Sequence, residues 1–401
     1  MTFNIARIRA DFPSLKNGWA FFDGPGGTQT PVQVTDAITD ALAQPLSNRG
    51  AVTEGERNAE RIVVDARRAI ADLVGGDPRG VVFGRSATQL AYDFSRMLSA
   101  SWEPGDEVIV TRLDHDSNIR PWVQAAERAG ATVRWVNFDQ ASSELDLDQL
   151  AGLLNDRTRL VAVTAASNII GTIPPVAEIS RLAHQAGALV YVDGVHYTAH
   201  ESVDIAALGA DFYSCSPYKF LGPHLGVLAA DPVLLDGLRP DKLLPSTDEV
   251  PERFEFGTLP YEYLAAVTAA IGYLAELSGS TASTRRQRLI DSYTALGRHE
   301  ADLRSRLEAG VAELAGVTVH SRAEARTPTM LITFDGRNAA DAYTHLARVK
   351  IAAPASNFYA LEASRHLGLG DAGGLRVGLA PYNTVEEVDR LVDGLRDFLL
   401  G

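Results

Sequence analysis

Between Val81 and Val192, short apolar runs alternate with stretches of helical pattern, and this alternation constrains the fold more than any other feature. The runs are Val81–Phe83, Glu107–Val110, Thr132–Val136, Leu160–Val163 and Ala188–Val192. Helical patterns open after Ser86 and at Asn118, and span Asp148–Leu154 and Val176–Ala186. A strand–helix–strand order makes consecutive strands parallel, because each helix carries the chain back across one face of the sheet. Runs that stay apolar without alternating are strands covered on both faces. The chain therefore reads as α/β, with a mainly parallel sheet between helices. After Pro260 the pattern changes to long helices over Tyr261–Leu277 and Thr284–Ala315. Short strands follow near Val317–His320 and Thr329–Phe334, and a last helix opens at the capping signature Thr384-x-x-Glu387. At 401 residues the chain exceeds one ordinary core. The expected division is an N-terminal arm over 1–30, a large α/β domain over 31–260, and long helices with a smaller α+β domain over 261–401.

Composition narrows the class of function. A formal net charge of −14 argues against nucleic-acid and anionic-membrane partners. Residues are 46% hydrophobic and 22% charged, as in a globular protein, and no apolar run is long enough for a membrane span or a leader peptide. The expectation is a cytoplasmic protein. The single cysteine, Cys215, allows no internal disulfide or cysteine zinc cluster and sits in an apolar strand as a small buried side chain.

Among 37 basic residues only Lys16, Lys219, Lys242 and Lys350 are lysines. An amine kept at 219, between Tyr218 and Phe220 and fixed by Pro217 and Gly222, is notable in a chain that otherwise uses arginine. A desolvated lysine can lose its proton and attack a carbonyl; a guanidinium cannot. Lys219 lies on the loop between Phe212–Cys215 and the apolar run Gly226–Ala230. Asp193 ends an earlier strand, and the pair fits a pyridoxal phosphate site: a lysine to capture the aldehyde and a carboxylate beside the ring nitrogen. Packing along a strand edge is the plainer role for such a lysine.

Other segments fall at strand ends, where open α/β sheets gather their sites. Gly84-Arg-Ser-Ala-Thr-Gln89 opens a helix, so N–H groups of Ala87 and Thr88 can hold a phosphate; an ordinary serine cap is the plainer reading. In Leu113-Asp-His-Asp-Ser-Asn118, His115 can lie on a ring and handle protons, with Asp114 or Asp116 tuning it. Ser167-Asn168 offers an amide, and Ser216 another phosphate donor. His196, His200 and Asp193 raise a metal reading, but no HExxH glutamate is present and a loop does not fix the spacing, so no metal is assigned. Asp23-Gly-Pro-Gly-Gly-Thr28 lacks the GK[ST] ending of a nucleotide loop and reads as a tight turn near a ligand or subunit contact. Arg376, on a short strand before the last helix, can grip a carboxylate.

Together these motifs resemble, over nearly the whole length, a pyridoxal-phosphate enzyme of the class V aminotransferase family, of fold type I and the cysteine desulfurase branch. The resemblance implies a seven-stranded, mainly parallel sheet and pyridoxal 5'-phosphate as cofactor. It gives His115 the ring-stacking role, Ala87, Thr88 and Ser216 the phosphate, and Asn168 a place near the ring hydroxyl and substrate. Asp193 takes the ring nitrogen, Lys219 the Schiff base and Arg376 the substrate carboxylate. His196 stands where the branch usually has glutamine, beside the ring oxygen, and Tyr218 replaces the usual histidine. Thr258, in RFEFGT, takes the place that reaches the phosphate of a neighbouring subunit, implying a homodimer with shared sites. One departure matters: the branch carries a persulfide-forming cysteine on a mobile loop, and the corresponding Ala353–Ala360 has none. The resemblance implies an enzyme acting on an α-amino acid through Lys219, by β-elimination or C–S cleavage without that thiol. Transamination and epimerisation are the alternatives; a non-catalytic interaction protein is the reading from another class.

Overall fold

The computed structural model describes residues 3–401, and its element order follows the alternation in the sequence. A two-residue strand, β1 (Ala20–Phe21), comes first. Then follow β2 (Val81–Gly84), β3 (Glu107–Thr111), β4 (Thr132–Val136), β5 (Thr158–Thr164), β6 (Leu189–Asp193), β7 (Phe212–Cys215) and β8 (Gly226–Ala230). These seven form one sheet in the order β2-β8-β7-β6-β5-β3-β4. Only β8 runs against its neighbours, because the short connection 216–225 turns straight back instead of crossing over through a helix.

Side chains alternate between two dry faces. Val82, Val108, Leu160, Tyr191, Phe212 and Leu228 pack beneath the helices Ala87–Ser99 and Arg120–Ala129. Val81, Ile109, Val161, Val190 and Val227 meet the helices Glu54–Val74, Val176–Gln185 and Tyr261–Glu276 on the other face. Covering on both sides explains why the inner strands read as largely apolar runs, while β4 at the edge leaves Thr132 and Arg134 exposed.

The C-terminal part adds β9 (Val317–Val319), β10 (Thr329–Phe334), β11 (Ile351–Ala352), β12 (Ala355–Ser356) and β13 (Gly374–Gly378). Four of these make an antiparallel sheet in the order β12-β13-β10-β9. Its core is filled by Leu303 and Leu307 of the helix Arg285–Ala312, Leu346 of Ala339–Arg348, and Leu391 and Leu395 of Val385–Leu400. Thr384 and Glu387 form the capping box read from the sequence. The helix Ala339–Arg348, capped by Asn338, was not read from the sequence although it is amphipathic; the two-residue strands are too short to carry a periodic signal. The helix expected from Asn118 begins at Arg120, because Asp116–Asn118 forms a tight turn capped by His115 and Pro121 sets the first helical turn. Segment 20–23 pairs with the C-terminal part: β1 lies parallel to β11, and Asp23 bridges Gly378. Among the described residues, no helix is long and apolar enough to cross a membrane.

Candidate active site

Strands β2, β3, β5, β6 and β7 all end at one edge of the large sheet. The segments that follow them line one cavity, about 480 Å³ of empty space counting the part open to solvent. Ala87 and Thr88 line it after β2, His115 after β3 and Asn168 after β5. His196 follows Asp193 at the end of β6, and Ser216 and Lys219 follow β7. Eight of the residues singled out in the sequence thus share one cavity. Tyr218, Ser117 and Thr164 complete much of the wall.

One end of the cavity offers free backbone donors. Ser86 caps the helix Ala87–Ser99 by accepting a hydrogen bond from the N–H of Gln89 at 3.1 Å, so the N–H groups of Ala87 and Thr88 stand on the first turn as free donors. Gly226 opens β8 against this turn. A Cβ at 226 would lie 2.2 Å from the carbonyl carbon of Ser86 and 2.6 Å from the nitrogen of Ala87. Only glycine lets the two backbones approach so closely.

Lys219 is 5% exposed at the end of the turn Pro217–Lys219, its Nζ 5.9 Å from the centre of the Tyr218 ring. Burial lowers its pKa to about 8; Arg376 adds to the fall, while Asp193 and Asp23 oppose it. Asp193 is buried too, and desolvation raises its carboxyl against the pull of the Val195 N–H and of Lys219. The Val195 N–H donates to Asp193 Oδ1 at 2.9 Å.

His115 is held by its own turn: its Nδ1 accepts from the backbone N–H of Ser117 at 3.0 Å, with the Ser117 hydroxyl at 2.7 Å. A donated N–H at Nδ1 places the ring proton on Nε2. Burial pushes the pKa of His115 down to about 3, and the nearby cations Lys219 and Arg376 push the same way, so the ring is neutral. Neither Asp114 nor Asp116 tunes it. Asp114 is fully buried and bonded to the Thr111 hydroxyl and to Asn118 Nδ2. Asp116 pairs with Arg120 at 2.8 Å. Ser117 carries the role expected of them, and its position two residues after the histidine was the available signal.

Two buried polar atoms in the wall lack a partner: Asn168 Oδ1 and His196 Nδ1. Buried atoms of this kind are expected to be satisfied, and here both belong to residues facing the same cavity. A phosphate-bearing pyridine aldehyde fits this set of groups. Its phosphate would find free N–H donors, its aldehyde an amine of lowered pKa, and its ring nitrogen a buried carboxyl that a cationic partner would ionise.

A sequence model of the class V aminotransferases matches residues 20–391. The chain belongs to that family. Its members are enzymes that use pyridoxal 5'-phosphate. An uncharacterized protein of Mycobacterium tuberculosis (strain CDC 1551 / Oshkosh), MT3887, is 33% identical over 98% of this chain and 99% of its own. A cysteine desulfurase of Enterobacter sp. (strain 638) is 32% identical over 99% of this chain and 98% of its own. The crystal structure of the cysteine desulfurase CsdA (S-sulfonic acid) from Escherichia coli superposes with a TM-score of 0.87 at 27% identity, covering 100% of this chain and 99% of that one.

Within this class V fold, the remaining residues singled out in the sequence lie apart from the cavity wall. Arg376 is buried behind Asn168: Nη1 donates to the Asn168 carbonyl at 3.0 Å and Nη2 to Asp23 Oδ1 at 2.7 Å. Its guanidinium carbon sits 3.7 Å from the centre of the Phe358 ring. Thr258 is exposed on a bend beside Gly257 and Phe256. His196 Nε2 lies 2.9 Å from the Thr327 hydroxyl and 3.1 Å from that of Thr329, both beside the small sheet. His200 is bonded to Glu300 at 3.0 Å, so the two histidines have separate partners. Sequence reasoning placed the turn at Asp23 near a ligand or subunit contact without tying it to Arg376, and it missed Thr327, Thr329, Phe358 and Tyr359. The last two are non-glycine residues with φ of 54° and 58°, next to the site. Asn168 Nδ2 donates to the Phe358 carbonyl at 3.0 Å, and the Asp116 N–H to that of Tyr359 at 2.7 Å.

Proposed function

We propose that this class V enzyme binds an α-amino acid by its carboxylate at Arg376 and cleaves a bond at the β-carbon. A cysteine-like substrate and C–S cleavage are the specific form of the reading. The observation that carries it is the buried Lys219 amine, its pKa near 8, in one cavity with the buried Asp193 carboxyl. In this reading Ala87, Thr88 and Ser216 hold the cofactor phosphate, Asp193 faces the ring nitrogen, and Asn168 and His196 stand at the ring oxygen. The bound cofactor supplies an aldehyde and an electron-accepting ring. The protein does the rest. Lys219 Nζ, with an accessible neutral form near neutral pH, takes the proton from Cα. His115 presents an uncharged Nε2–H to the ring face, a donor rather than a positive charge. Asn168, bonded through Nδ2 to Phe358, leaves Oδ1 without a protein partner.

The segment Ala353–Ala360 supports release of the sulfur fragment without a protein persulfide, since it holds Phe358 and Tyr359 and no thiol. Cys215 supports the same conclusion: it is buried in β7, and burial raises its thiol far above the ordinary value. A second copy of the chain completes the site in this proposal, with Thr258 reaching across. Its exposure, together with that of Leu243, Leu244 and Phe256, supports such a contact.

Product analysis tests the reading. Incubation with cysteine and related β-substituted amino acids is expected to release an α-keto acid, ammonia and the β-substituent together. Keto acid without free ammonia, with the amino group retained on the enzyme's cofactor, would select transamination instead. Recovery of only the mirror-image amino acid would select epimerisation.

A further inference from the structure

We infer that Asp23 is a resident carboxylate that a substrate carboxylate must displace from Arg376, which makes it a specificity-determining residue. This rests on the reading of Arg376 given above. The guanidinium has little free surface. Nη1 is bound to the Asn168 carbonyl, Nη2 to Asp23, and one face is covered by Phe358. Nε is buried without a partner and shares an edge with Nη2, so a carboxylate gripping that edge in a fork takes the free Nε and must displace Asp23 from Nη2. The Asn168 contact is a main-chain carbonyl, and Phe358 is fixed through its own carbonyl by Asn168 Nδ2. Asp23 is the exchangeable partner: its side chain is 40% exposed, against 3% for Arg376.

The turn that carries Asp23 limits how it can leave. Its carbonyl accepts from the N–H groups of Gly26 and Gly27, and the Phe22 carbonyl accepts from Gly378. The backbone is pinned, so release means rotation of the side chain alone. Gly26 makes room for the bound rotamer: a Cβ there would stand 2.6 and 2.7 Å from the two Asp23 carboxylate oxygens. Gly26 has no left-handed φ, so alanine fits the backbone and strikes only the end of a flexible side chain. A resident anion at this place repels a second one. A simple carboxylic acid gains too little elsewhere to displace it, whereas an amino acid also gains the contacts of its amine.

The test uses the holoenzyme and two probes: α-aminoisobutyrate, which has no Cα proton to lose, and isopropylamine, its counterpart with hydrogen in place of the carboxylate. Binding is read from the change in cofactor absorbance. Asp23→Asn and Gly26→Ala are each expected to tighten α-aminoisobutyrate by roughly tenfold and to leave isopropylamine unchanged. With a turnover substrate, the same variants lower KM more than they change kcat. Arg376→Gln should weaken α-aminoisobutyrate alone. If Arg376→Gln weakens the acid while both Asp23→Asn and Gly26→Ala also weaken it or leave it unchanged, Asp23 only orients the guanidinium and the inference is overturned. If Arg376→Gln leaves the acid unaffected, the role of Arg376 itself is wrong.

Discussion

On the side of the cavity lined by Ala87, Asp193 and Lys219, every functional group follows directly from the end of a strand of one sheet. On the side around Arg376, four distant pieces of chain meet: the turn at Asp23, Asn168 after β5, the loop at Phe358, and β13. The first side is set by local sequence on a rigid frame. The second is set by how the N-terminal segment and the small sheet seat against that frame. In the proposed reading the first side seats the cofactor and the second receives the substrate carboxylate.

The largest expected effect lies on the frame side. Lys219→Ala should reduce turnover by at least about a thousandfold and abolish the visible absorbance of the cofactor–lysine linkage, measured on purified protein with added pyridoxal 5'-phosphate. Retained colour together with activity would break the assignment of this side. Asp193→Ala comes next. Loss of a carboxylate–pyridinium pair in a dry site costs about 2–4 kcal/mol, so activity should fall far more than cofactor affinity, as read by titrating the apoprotein. Equal losses in both would make Asp193 a binding group only.

The smallest effect concerns stability beneath the frame. Burial raises the carboxyl of Asp114 to about 8, with the Asp193 charge adding to the shift. The folded chain therefore holds a proton that the unfolded chain gives up near the ordinary aspartate value. That contribution is full at pH below the unfolded pKa and is lost as pH climbs toward about 8. Relative to Asp114→Asn, the wild type should lose a few degrees of Tm between pH 5 and pH 8 by the arithmetic of raised pKa values. A constant difference across that range would show that Asp114 is ionised in the folded protein.

The same contrast explains what could be read in advance. Asp193 and Lys219 were legible because an acidic residue closing an apolar run, and an amine in an arginine-rich chain, are local signals. The serine cap before Ala87 is another, with its meaning written in adjacent residues. Asp23 could not be read as the partner of Arg376: nothing local ties residue 23 to residue 376, and the contact exists only because Asp23 bridges Gly378 on the neighbouring strand. Thr327 and Thr329 reach His196 for the same kind of reason, through the packing of the small sheet. Aspartates beside His115 looked like its natural partners, but Asp114 is turned into the core by Thr111 and Asn118. Spacing along the chain could not show that orientation.

The pairing of β1 with β11 also bears on how the protein is made. Ala20 leaves the ribosome early, yet its partner Ile351 is synthesised more than three hundred residues later. The large sheet has all its strands long before then, so its fold can form while the first segment still waits for a place to dock. Asp23 reaches Arg376 only after that docking, so in the proposed reading the carboxylate-binding group is the last part of the site to mature. A nascent chain stalled before β11 would carry the reactive lysine without the groups that restrict what approaches it.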